Sequence, residues 1–190
     1  MTDEGAGAFL ARLTAKLAAA GVPNMVVGSF ASSFHGVPRS SQDLDLVIVP
    51  QPESLRRFLS DLPPEDYYAD SDAALDALRR RGQFNVIDMA TAWKADLIMR
   101  KARPFSVEEM RRRVEGNLLG AQVFVASPED TLISKLEWAQ QGGGSQLQLR
   151  DVLGILQLRG EDLDIAYIER WVADLGLGDL WRSVRAGGSD

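Results

Sequence analysis

The sequence has no cysteine and a single histidine, His35, among its 190 residues. The first absence excludes disulfides, thiolate zinc centres and cysteine nucleophiles; the second leaves no set of imidazoles to build a zinc site within one chain. Any Ser-His-Asp triad would have to use His35. Long apolar runs are missing as well. Stretches such as Leu46-Val47-Ile48-Val49 fall far short of the ~18 residues that span a bilayer, and the N-terminus shows no basic-then-apolar signal pattern. A cytoplasmic protein with no membrane association is therefore expected. What is present is ordinary globular material, since 45% hydrophobic and 25% charged residues exclude a disordered or fibrous chain. At ~100–200 residues per domain, the length suits one domain, or one domain with a helical appendage.

The formal charge of −6 does not suit a protein that binds nucleic acid through its whole surface. The average hides an asymmetry. From Arg79 to Arg113 there are ten Lys/Arg against four acids, a local +6, so the remainder of the chain stands at −12. The runs Arg79–Arg81 and Arg111–Arg113 would offer an RNA acceptor a positive surface if they faced a cleft. The alternative is a pair of solvated helix ends, where cations favour the C-terminal dipole.

Periodicity predicts a mixed α/β (α+β) chain. Phe9, Leu10, Leu13 and Leu17 mark an amphipathic helix over 8–20 that stops at Gly21. Met25-Val26-Val27 reads as a short strand running into Gly28-Ser29, followed by a short helix over 30–34 closed by Gly36. Asp43 to Val49 starts in strict alternation and is β-branched, hence a strand, ended by Pro50. Helices are expected from Pro52 and over 71–81, then a hairpin of 84–88 with 93–99. Ser106-Val107-Glu108-Glu109 has the capping-box pattern of a short basic helix, and Val123-Phe124-Val125 is a further strand. Thereafter the period is helical. Ser127-Pro128-Glu129-Asp130 opens a helix to about Gln140, Gly142-Gly143-Gly144-Ser145 is a flexible loop, Ser145 caps a helix to Leu158, and Asp164 caps one reaching Leu175. The expected organisation is a core over 1–126, a C-terminal helical region over 127–185 packed on it, and a frayed tail over 186–190.

Two carboxylates in this pattern carry chemistry. Asp43 and Asp45 are two apart on a strand, so both project from one face while Leu44 and Leu46 face the core. Asp96 is the only acid within Trp93 to Met99, and if that strand pairs alongside, a third carboxylate joins them. Three oxygen donors on rigid strands suit Mg²⁺, which takes a few carboxylates and completes its shell with water and substrate phosphates. Asp-x-Asp can equally mark a strand start, with Asp96 merely facing solvent. Upstream, a glycine at 28 lets backbone approach a phosphate, and the Ser29 hydroxyl and helix N-terminal amides can hold it.

The segment Gly28-Ser29 followed by Gly36-Val37-Pro38-Arg39-Ser40-Ser41-Gln42-Asp43-Leu44-Asp45-Leu46 resembles the signature of the nucleotidyltransferase superfamily with the DNA polymerase β-like fold. With Lys94-Ala95-Asp96 on a later strand and Ser127-Pro128-Glu129-Asp130 with Lys135-Leu136 on a helix, it resembles the small bacterial AbiEii and MenT-type toxin nucleotidyltransferases and their uncharacterised relatives. The likeness runs over most of 22–160. It implies a minimal nucleotidyltransferase fold with a small mixed sheet flanked by helices. It also implies Mg²⁺ (or Mn²⁺) on Asp43, Asp45 and Asp96, and a nucleotide triphosphate on Gly28 and Ser29, with Lys135 reaching the phosphates. Arg39 could contact phosphate or pair with an acid. Arg150, Asp151 and Lys94 are further candidates, although Lys135, Arg150 and Asp151 could instead join two antiparallel helices by ion pairs. Ser40-Ser41 stands where relatives often have Ala-Thr. The implied reaction moves a nucleoside monophosphate from an NTP to a hydroxyl acceptor and releases pyrophosphate. The acceptor is left open among tRNA, protein and a small hydroxyl compound, as in an aminoglycoside-type adenylyltransferase. The toxin branch adds an antitoxin partner. A catalytically silent nucleotide-binding or partner-binding module is the other reading. His35 is expected as a buried, hydrogen-bonded residue near the phosphate segment, and Trp93, Trp138, Trp171 and Trp181 as core and helix-packing residues.

Overall fold

The structure is a computed structural model that describes residues 3–142 and 145–187. It divides into two compact units, one of residues up to Val27 with Ser41–Val125, the other of Gly28–Ser40 with the chain from Ala126 on. The first unit holds α1 (Asp3–Ala19), β1 (Asn24–Val26), β2 (Asp43–Ile48), α3 (Pro52–Ser60), β3 (Tyr67–Ala69), α4 (Ser71–Arg80), β4 (Gln83–Asp88), β5 (Lys94–Met99), α5 (Pro104–Arg112), β6 (Val114–Leu118) and β7 (Ala121–Val125). The second holds α2 (Gly28–His35), α6 (Pro128–Gln141), α7 (Gln146–Arg159), α8 (Ile165–Asp174) and α9 (Gly178–Gly187). No helix among the described residues is long and apolar enough to cross a membrane.

The seven strands of the described residues form one mixed sheet in the order β3-β4-β5-β2-β1-β7-β6. β2 lies parallel to β5 and β1 parallel to β7, while the other neighbours run antiparallel. Alternation along the strands separates two faces. Leu44, Leu46, Ile48, Phe84, Val86, Ala95, Leu97 and Met99 are buried on one. Phe9, Leu10, Leu13 and Leu17 of α1, with Leu55 and Phe58 of α3, are wholly removed from solvent, each contributing on the order of 2 kcal/mol. Asp88, on this buried face, is held by Arg12 Nη2 at 2.9 Å and by the Thr91 hydroxyl at 2.5 Å. The opposite face carries Asp43, Asp45, Lys94 and Asp96, all partly exposed.

In the second unit α2 packs against α6 and α7. The approach to α7 is close. A Cβ on Gly36 would lie 2.8 Å from the Ile155 amide nitrogen, and one on Gly154 would lie 3.0 Å from the Val37 nitrogen. Ser127 caps α6, accepting from the Asp130 amide, and Asp164 caps α8, accepting from the Tyr167 amide. A boundary at 126 separates most of the two units; Gly28–Ser40 is the exception, because its contacts are with helices far along the chain.

Several local expectations are corrected. The helix expected from a capping box at Ser106 begins instead at Pro104, with Arg103 as N-cap, and Ser106 sits buried inside its first turn, accepting from Arg103 Nε at 3.0 Å. Ala186 and Gly187 continue α9 rather than fraying, and 188–190 lie outside the described residues, as do Gly143 and Gly144 of the expected loop. Ser145 occupies the N-cap position of α7, but its side chain makes no capping bond. Trp93 and Trp181 are buried as expected, whereas Trp138 is 62% exposed.

Candidate functional site

The acidic face is fixed by strand pairing. β2 is paired on both sides, by β5 and by β1, and the Val27 amide donates to the Asp45 carbonyl at 2.9 Å, extending the ladder past Val26. In the parallel register Asp43 lies opposite Lys94 and Asp45 opposite Asp96. Register partners share a face at a strand spacing of about 4.8 Å, so all four side chains rise from the same patch. The pairing on which the third carboxylate depended is therefore present. Asn85 of β4 is the register partner of Asp96 on its other side, a polar neighbour that sequence spacing did not reveal.

Lys94 dominates the local electrostatics. Its Nζ is 3.3 Å from Asp43 Oδ1 and 3.4 Å from Asp96 Oδ1. Burial disfavours the ammonium, but the charges of Asp96 and Asp43 outweigh it and raise its pKa above the ordinary lysine value. Asp96 Oδ1 is buried and has no hydrogen bond of acceptable geometry, so the ammonium beside it is an ion-pair contact only. Among the described residues no three acidic or histidine side chains converge on one point. Asp43, Asp45 and Asp96 offer hard oxygen donors of the kind that suit Mg²⁺ or Mn²⁺.

The second unit holds the other candidates. Gly28 opens α2 with φ of +66°, a left-handed conformation that explains glycine there. Ser29 is buried in the first turn of α2. Asp151 of α7 collects three groups: Arg39 Nε at 2.9 Å and Nη2 at 3.2 Å, Lys135 Nζ at 2.7 Å, and the Ser32 hydroxyl at 3.0 Å. The Ser32 hydroxyl lies equally 3.0 Å from the Ser29 carbonyl, and its one proton serves one acceptor at a time. Burial alone would raise the Asp151 pKa; the bonds from Arg39 and Lys135 overcome it and hold the carboxyl below the usual range. Lys135 and Asp151 are almost wholly buried, with side chains 6% and 4% exposed. The ion-paired alternative for Lys135 and Asp151 is thus what the structure displays, and Arg39 joins it. Arg150, next in sequence, is exposed and takes no part in it. Ser32 was not foreseen; its place one turn after Ser29 on α2 was the only available signal.

His35 is buried, with Nε2 2.7 Å from the Ala126 carbonyl and Nδ1 unpaired. Nε2 carries the proton in that contact, and burial, the largest influence, lowers its pKa. The arginine runs end helices. Arg79 and Arg80 pair with Asp76, Arg81 adopts φ of +53° as the C-cap of α4 and donates to the Arg100 carbonyl, Arg111 pairs with Glu108, and Arg113 lies over the Phe124 ring.

No protein-family model and no curated protein matches the sequence. Among solved structures, the chain is similar to an antigenic nucleotidyltransferase-like protein from Paracoccidioides brasiliensis, at TM-score 0.57 and 17% identity, covering 97% of this chain and 92% of that one. It is also similar to ANT(2")-Ia in complex with adenylyl-2"-tobramycin, at TM-score 0.54 and 14% identity, covering 88% of this chain and 97% of that one. The fold, a seven-stranded mixed sheet with helices, is that of nucleotidyltransferase-like proteins.

Proposed function

We propose that the protein is a Mg²⁺-dependent nucleotidyltransferase that transfers a nucleoside monophosphate from an NTP to a hydroxyl acceptor. The observation that carries this reading is the register of β2 with β5, which sets Asp96 opposite Asp45 and beside the Asp43 strand face. Asp43, Asp45 and Asp96 are the proposed metal ligands, and the Gly28 backbone and Ser29 the proposed phosphate contacts, in line with the sequence resemblance. Mg²⁺ bound to these carboxylates would neutralise charge on the triphosphate and on departing pyrophosphate. The chain's own part is to position and to move a proton. Asp96 accepts the proton of the acceptor hydroxyl as its oxygen bonds to the α-phosphorus, the bond from that phosphorus to the bridging oxygen breaks, and pyrophosphate leaves. Lys135 and Arg39 both pair with Asp151, and Lys135 is the proposed further contact to the phosphates, in line with the sequence resemblance.

The acceptor reading shifts with the arginine runs. The pairing of Arg79 and Arg80 with Asp76 and of Arg111 with Glu108 weakens the case for tRNA drawn from the local +6, while the overall −6 suits a small cationic hydroxyl compound. A kinship with toxin-type relatives would restore an RNA acceptor. The test of the reaction class is transfer of label from α-³²P-NTP to acceptor pools of tRNA, protein and aminoglycosides. Asp45→Asn should abolish label transfer while leaving the circular dichroism spectrum unchanged. Transfer retained in that variant would refute the assignment, and stable Mg²⁺-nucleotide binding without transfer to any pool would favour the silent binding module.

A further inference from the structure

We propose that Lys94 is a built-in competitor for the divalent cation, holding Asp43 and Asp96 in the metal-free protein and weakening metal binding until it is drawn away. The inference rests on the metal-site reading above. The register places Lys94 directly opposite Asp43 and two residues from Asp96, so its stem rises from the same face as the three acids. Its ammonium then reaches both carboxylates, at 3.3 and 3.4 Å. A divalent ion needs those same oxygens and would face a positive charge at contact distance. The two cations therefore exclude one another.

Displacement is within reach of the side chain. Lys94 is one-third exposed and Asp43 about half, so that pair is of the solvent-screened kind that contributes little to stability, while the contact with Asp96, 16% exposed, is the more enclosed of the two. The ammonium can swing into water on its flexible stem without disturbing the ladder, whose hydrogen bonds are made by backbone. A polyphosphate offers the released ammonium a better partner than water, so nucleotide and metal should bind with positive coupling through this residue.

The test uses Mn²⁺ as probe, followed by electron paramagnetic resonance of the free ion without nucleotide, on the full chain and on Lys94→Gln, Lys94→Met and Lys94→Gln/Asp43→Asn. Both single variants should bind Mn²⁺ on the order of tenfold more tightly than the unaltered chain, and the double variant should lose the gain. Two variants of different polarity, each checked for an unchanged unfolding midpoint, separate the effect from misfolding. Unchanged affinity in Lys94→Gln and Lys94→Met, with binding lost in Lys94→Gln/Asp43→Asn, would overturn the competitor role and leave the metal site standing. Tightening that survives in Lys94→Gln/Asp43→Asn would place the ion elsewhere and overturn the proposal. No Mn²⁺ binding by any of the four would overturn both this inference and the metal reading.

Discussion

Asp151 shows how one buried carboxylate can organise several elements. With Lys135 and Arg39 bonded to it, removing its charge breaks a buried ion pair from one side, a change that costs about 3–5 kcal/mol. Urea unfolding of Asp151→Asn should show that loss at constant m-value, and adding Lys135→Met should recover much of it; an unchanged midpoint would refute the buried pair. Because the folded pKa of Asp151 is depressed, its contribution is fully present above the unfolded value of about 3.9 and is lost as pH falls below it. His35 works in a different window. Its folded pKa is lowered by burial, so the unfolded chain binds the proton more readily and stability should decline as pH drops below about 6.5. As the only histidine in the chain, it gives one isolated imidazole signal in a proton NMR titration. The midpoint should fall below about 6.5, and His35→Gln should flatten the stability profile across that window. A midpoint at or above the ordinary value would contradict the buried neutral ring.

At the scale of elements, backbone conformation and close packing set the constraints around the candidate phosphate segment. Gly28→Ala puts a Cβ on a left-handed residue at the start of α2, costing roughly 1–2 kcal/mol, and Gly28→Asn should cost less; thermal unfolding of the two variants checks the order. What was legible in the sequence follows the same physics. Strands β2, β4 and β5 declared themselves by alternation because each buries one face, and α6 by its Ser-Pro-Glu-Asp start. β3 escaped because three residues hold no period. β6, with Glu115, Gly116 and Asn117, has poor strand propensity and exists through its hairpin with β7, where Leu119 and Gly120 take φ of +51° and +82°. α9 opens at Gly178 without a capping signal in its sequence.

For the molecule as a whole, the candidate site was half legible. The shared face of Asp43 and Asp45 followed from spacing alone, but the place of Asp96 beside them needed the β2–β5 pairing, a contact between strands separated by two helices and two other strands. Neither the ammonium of Lys94 between Asp43 and Asp96 nor the gathering of Arg39, Lys135 and Ser32 on Asp151 could be read from a linear pattern. The arginine runs admitted two readings, a binding surface and solvated helix ends, and they lie at the ends of α4 and α5, where Arg79, Arg80 and Arg111 have acidic partners. The central claim is that the acidic face of β2 and β5 binds a metal-nucleotide complex. Thermal unfolding of the unaltered chain and of Asp43→Asn/Asp45→Asn, each with Mg²⁺ and each of the four NTPs, tests it most directly, because a ligand that binds only the folded state raises the midpoint. A nucleotide-selective, Mg²⁺-dependent rise that vanishes in the double variant is the expected result; no rise with any nucleotide, or a rise that persists in the double variant, would contradict it.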